Sequence, residues 1–178
     1  MKTFQFKIFL KEKPEIWRRF LVNDSLTFEK LHLIIQIVMR WENYHLYEFN
    51  INGMKIGRLD EDDDYEIADS KKTKLSNCIT SKIKKLIYIY DFGDSWEHEI
   101  ILEKINNYKI TVPVCLEGKN ACPPEDCGGI SGYEDILKIR RNKNHPDYKE
   151  LIINWLGEDF DPEKFDIKQI NKELKKLK

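Results

Sequence analysis

Two β-forming runs flank a turn in the middle of the chain, and a cysteine-bearing loop follows them. Leu86–Asp91 is rich in aromatic and β-branched residues. Trp96–Glu103 alternates, with Trp96, His98, Ile100 and Leu102 on one face and Glu97, Glu99 and Glu103 on the other. Such runs on either side of Gly93-Asp94 predict an antiparallel hairpin that turns there and buries Trp96 and His98. A shorter strand is expected over Lys109–Cys115, then a loop from Gly118. The segment Cys122-Pro-Pro-Glu-Asp-Cys127-Gly-Gly is neither helix nor central strand. Its two prolines remove backbone donors and its two glycines open the left-handed region. The rest of the chain is organised around this stretch.

Upstream, Phe4, Phe6, Ile8 and Leu10 alternate with mostly polar residues, so Thr3–Leu10 reads as a strand paired with a second over Ile16–Val22. Thr27 caps a predicted helix from Phe28 to about Arg40, whose stripe is Leu31, Ile34, Ile35 and Val38. His32 lies beside that stripe. Tyr44–Ile51 reads as a third strand carrying His45, and a short helix is expected near Leu75–Ile79. Asp60, Asp62 and Asp64 match the first ligand spacings of an EF-hand. The sixth position is Tyr65 and the twelfth is Lys71, so a solvated acidic loop is expected instead. Beyond the cysteine loop the chain turns helical over about residues 131–177: Tyr133–Arg141, then Pro146 to Leu156 with Gly157 as a stop, then Ile167–Leu177. With no internal repeat or linker, residues 1–178 read as one α+β domain. Its antiparallel or mixed sheet carries the N-terminal helix, and a helical C-terminal region packs nearby.

The 30 basic and 31 acidic residues leave a net charge of −1. That balance gives no global reason to expect nucleic acid or an anionic membrane as partner. The start alternates and carries charges throughout, and no apolar run reaches the length of a bilayer span, so a cytoplasmic location is expected. There the cysteines are more naturally reduced or metal-bound than disulfide-linked.

Chemistry concentrates in the cysteine loop. Cys115-x6-Cys122-x4-Cys127 lacks the CxxC knuckles of common zinc sites, yet thiolates are good soft ligands. A zinc site is expected from Cys122 and Cys127 with His98 or Cys115. His45 is a further nitrogen donor, and Asp94 or Glu125 an oxygen donor. The plainer alternative is that the cysteines are small buried hydrophobes, or that Cys122 and Cys127 pair under oxidation. Asp91, Asp94, Glu97 and Glu99 are candidates for paired acid–base work. No phosphate-binding loop, HExxH or GxSxG is present, and Asp91-Phe92-Gly93 stands without the rest of a kinase signature.

The stretch YDFGDSWEHEI, followed by PVCLEGKNACPPEDCGGISGYEDIL and NWLGEDFDPEKFD, and preceded by WRRFLV and LTFEKLHLIIQIVMRWENYHLYEF, resembles the plasmid pRiA4b ORF-3-like family across nearly the whole chain. The resemblance implies an uncharacterised function, with a resolvase-like label on some members. Strand exchange needs a Ser or Tyr nucleophile amid clustered cations. The basic cluster Lys138, Arg140, Arg141 and Lys143, with Lys149 beyond, lies between two helices whose link is too long for a helix-turn-helix. Three readings stand: a binding or interaction module with a metal site at the cysteine loop, a small metal-assisted or acid–base hydrolase-like enzyme using His98 and nearby carboxylates, and an accessory nucleic-acid-binding protein of a mobile element.

Overall fold

The structure, a computed structural model, describes residues 2–58 and 67–177. The acidic Asp60–Asp64 loop lies outside the described residues. Strands β1 (Thr3–Leu10) and β2 (Lys13–Asn23) lead into helix α1 (Phe28–Met39). There follow β3 (Tyr47–Ile51), β4 (Met54–Gly57), β5 (Ala68–Asp69), the single turn α2 (Leu75–Cys78), β6 (Lys85–Tyr90), β7 (Trp96–Asn106) and β8 (Val114–Lys119). The C-terminal part is α3 (Gly129–Arg140), a π-helix over Tyr148–Leu156, and α4 (Ile167–Leu174). Among the described residues these strands form one sheet in the order β5-β4-β3-β6-β7-β1-β2-β8. It is antiparallel except where β4 meets β5. The fold is α+β with a mixed sheet, as the sequence predicts.

The period of two along each strand sorts the residues. Phe4, Phe6, Ile8, Phe20, Phe49, Tyr88, Trp96 and Ile100 are buried on the inner face. The other face carries cross-strand ion pairs, such as Arg19–Glu103 at 2.7 Å and Lys85–Glu99 at 3.1 Å, and this solvated side explains the alternation. Helix α1 covers the inner face. Thr27 Oγ1 accepts from the Lys30 amide at 3.3 Å, and Leu31, Ile34, Ile35 and Val38 are fully buried. Each such burial contributes about 1.5–3 kcal/mol. Arg40, in the left-handed region with φ 67°, ends the helix.

Several boundaries differ from expectation for local reasons. Lys109–Pro113 is not a strand, because the Asn23 side chain takes both backbone groups of Ile110 (2.8 and 3.1 Å) and Pro113 has no N–H to offer. The last strand therefore starts at Val114 and runs through Gly118. A Cβ at Gly118 would lie 2.6 Å from the Phe165 ring and 2.8 Å from Arg18 Cδ. Residues Tyr44–Leu46 precede β3 rather than belong to it, because the amides of Tyr44 and His45 donate to the Tyr90 hydroxyl at 3.0 and 3.4 Å. Helix α3 begins at Gly129, four residues early. Gly132 makes this possible, since a Cβ there would collide with the Cys127 carbonyl. The segment after Pro146 winds as a π-helix, with Ile152 packed on Ile136 and Ile139 of α3 in a satellite cluster. Finally, α4 returns to the sheet edge. Its Asn171 side chain accepts from the Cys115 amide (2.8 Å) and donates to the Cys115 carbonyl (2.9 Å).

Candidate functional site

The two most distinctive stretches of sequence meet. The cysteine loop lies across the end of the β6–β7 hairpin and the C-terminal end of α1. Trp41 Nε1 donates to the Pro123 carbonyl at 2.9 Å. The Glu125 carboxylate accepts from the Tyr90 hydroxyl and from the Glu42 amide, the latter at 2.7 Å. Burial first, then Glu125, raises the Tyr90 phenol well above its ordinary value, so it remains a donor. At the far end of the loop, the Gly128 amide donates to Asp94 Oδ2 at 3.1 Å. Gly129, at φ 66°, sits where a Cβ would be 2.8 Å from the Asp94 carbonyl oxygen. Only glycine allows that approach.

A cleft of about 530 Å³ opens between this loop and the segment that follows the π-helix. Trp41, Tyr44, Trp155, Phe160 and Phe165 supply aromatic wall. Glu42, Glu125, Asp126, Asp159, Asp161 and Asp166 supply carboxylates, against Arg18, Arg40 and Lys164. Arg18 is only 1% exposed. Its guanidinium donates to the carbonyls of Val38 (2.8 Å), Trp17 (2.8 Å) and Lys119 (2.7 Å), and stacks on Phe165 at 4.7 Å. A buried cation thus reads the backbone rather than a carboxylate.

The structure places each residue of the sequence-derived zinc set in its own surroundings. Cys122 is buried, with Sγ 3.6 Å from both Arg18 Nη2 and Met39 Sδ. Cys127 Sγ points to the Gly129 carbonyl at 3.7 Å, and Cys115 Sγ to that of Glu117 at 3.7 Å. All four cysteines are free thiols. Burial first pushes Cys122 and Cys115 up to about 11 and Cys127 to about 12. His98 is fully enclosed at 0% exposure, edge-on to Trp41 and beside Tyr88. Backbone groups of Trp96 and Tyr88 lie near its ring, yet neither ring nitrogen is hydrogen-bonded. Burial dominates and lowers His98 to about 4. Among the described residues, no group of three or more converging metal-ligating side chains includes any of these four.

His32 is a satisfied core residue: Nε2 meets Asn43 Oδ1 at 2.6 Å and Nδ1 meets the Tyr88 hydroxyl at 2.8 Å. Among the described residues, three or more metal-ligating side chains converge at His45, Asp91 and Asp126. Sequence reasoning named His45 but paired it with Asp94 or Glu125. Those carboxylates are engaged by Gly128 and by Tyr90. The neighbouring Asp91 and Asp126 take the place, and both sit in the left-handed region, at φ 56° and 57°. The mixing of Gly, Asn and Asp at turn positions is the one sequence signal that marks them.

Among the described residues no helix is long and apolar enough to cross a membrane. The chain is 33% identical over 168 residues to the uncharacterized protein y4hQ of Sinorhizobium fredii, covering 93% of this chain and 86% of that one. It is also similar to the crystal structure of MM3350, a protein of unknown function from Methanosarcina mazei Go1. The TM-score is 0.85 at 43% identity, covering 94% of this chain and 96% of that one. The family model described as plasmid pRiA4b ORF-3-like protein matches residues 2–169. The fold, the facing motifs and this match agree: the chain belongs to the plasmid pRiA4b ORF-3-like family.

Proposed function

We propose that this protein is a binding module whose cleft receives a positively charged organic group, an alkylammonium or guanidinium. The observation that supports it is the lining of the cleft, where aromatic faces alternate with carboxylates that outnumber the cations. Aromatic faces and carboxylates together favour a desolvated cation. Arg18 does not reverse the balance, because the carboxylates outnumber the cations with Arg18 counted among them. The hydrolase-like reading has less support: the cleft lining contains no histidine, and His98 is closed off in the core. For nucleic acid the cleft has the wrong sign. Lys138 and Arg140 instead complement the dipole in the last turn of α3, where Lys138 also pairs with Asp135 at 2.8 Å.

Tryptophan fluorescence, with Trp155 on the wall as reporter, tests the reading. Titration with a tetralysine peptide is expected to give a saturable change that is lost on Nε-acetylation. Butylammonium and propylguanidinium serve as small-molecule arms. A response indifferent to acetylation, or none with any cation, rejects it.

A further inference from the structure

We infer that His45, Asp91 and Asp126 form a binding site for a divalent first-row transition metal ion, zinc foremost, at the junction between the sheet and the cysteine loop. One ligand atom from each residue lies within 4.8 Å of the other two. His45 Nε2 is 3.2 Å from Asp126 Oδ1 and 3.7 Å from Asp91 Oδ2. Donors on one tetrahedral zinc, each bonded at about 2.0–2.1 Å, are about 3.3 Å apart. The observed separations therefore suit a shared ion.

A second observation is independent of that clustering. His45 Nε2 is sealed from solvent and makes no hydrogen bond. Two carboxylate oxygens are near, at 3.2 and 3.7 Å, but neither contact makes a hydrogen bond with the ring nitrogen. A buried ring nitrogen left unpaired is costly, and an ion shared with the two nearby carboxylate oxygens would satisfy it. Asp91 is oriented for the same role. Its side chain is 9% exposed, and Oδ1 is fixed by the Gly93 amide at 2.9 Å. Among the described residues no hydrogen-bond donor reaches Oδ2, which faces His45. Such anchoring of one carboxylate oxygen is usual around metal ligands.

The imidazole donor favours zinc and its transition-metal neighbours over magnesium or calcium. Asp126 brings the third donor from the loop. Its side chain is 68% exposed, which leaves the ion a path from solvent, and three protein ligands leave a coordination position open. Asp126 also lines the cleft, but the site stands or falls independently of the cleft's ligand.

The full chain, treated with chelator and dialysed, is titrated with Co²⁺ and Zn²⁺ by calorimetry and visible absorption. One equivalent per chain is expected, with cobalt ligand-field bands and no thiolate-to-cobalt charge transfer. His45→Gln and Asp126→Asn are each expected to weaken binding about tenfold or more. Should His45→Gln fail to fold, Asp126→Asn, at an exposed position, decides alone with circular dichroism as its folding control. Absence of saturable uptake, uptake unchanged in Asp126→Asn, or thiolate bands that vanish in the Cys122→Ser/Cys127→Ser double variant overturns the inference.

Discussion

Arg18 on β2 donates through Nε to the carbonyl of Val38, 2.8 Å away in the last turn of α1. That turn has no basic residue of its own, and the amides of Arg40 and Trp41 serve the carbonyls of Ile37 and Gln36. Arg18 therefore caps a third carbonyl of that turn and complements the negative end of the helix. Arg18→Met leaves carbonyls of Val38 and Lys119 without this donor and is expected to destabilise the fold by about 3 kcal/mol or more. A urea midpoint equal to that of the parent protein would show that water replaces the guanidinium.

Acid should weaken the fold through His32 and His98. Burial holds each at about 4, against an ordinary value of 6.5. Above 6.5 both states are neutral at these sites. Below it the unfolded chain takes up the protons and the folded chain does not, so stability falls from pH 6.5 to about 4 and then levels. The full shift corresponds to about 3 kcal/mol per histidine. His98→Leu removes one of the two contributions, so the drop in urea midpoint between about pH 7 and about pH 5 should be shallower.

Gly118→Ala places a methyl group against Phe165 and Arg18 together. Overpacking of this kind destabilises by about 1–3 kcal/mol. The substitution should also push the Phe165 segment away from the cleft, seen as faster proteolysis after Phe165. Unchanged melting and cleavage would mean that the C-terminal segment is free of the edge strand.

The thiols should be sluggish. With Cys122 and Cys115 at about 11 and Cys127 at about 12, little thiolate forms near neutral pH. Alkylation by iodoacetamide near pH 8 should be slower by about a hundredfold in the native protein than in urea. Rapid labelling of native Cys127, followed by mass spectrometry, would contradict this.

The hairpin, the N-terminal strand pair and α1 were legible because each has a strong period and a clear boundary signal. Trp96 and His98 face inward as the alternation of Trp96–Glu103 requires. Strand β4 and the two-residue β5 escaped because neither is long enough to show a period. The site was legible only in outline. CPPEDCGG and YDFGDSWEH stood out, and they do meet, but the cysteines carry the packing while acidic residues beside them face the ring nitrogen. His45, Asp91 and Asp126 come from three separate turns, so no spacing in the sequence joins them. The position of Arg18 in an alternating strand marks it as inward, yet nothing local shows that its partner is a helix end.

Asn171 gives the edge strand β8 an artificial neighbour. Its amide offers Cys115 the donor and acceptor that another strand would offer. One side chain from α4 thus closes the start of an otherwise open rim, where a second copy of the chain would dock strand to strand. A helix that the sequence places only near the sheet acts as a guard against sheet extension between molecules, and truncating it would turn this edge into a template for polymerisation.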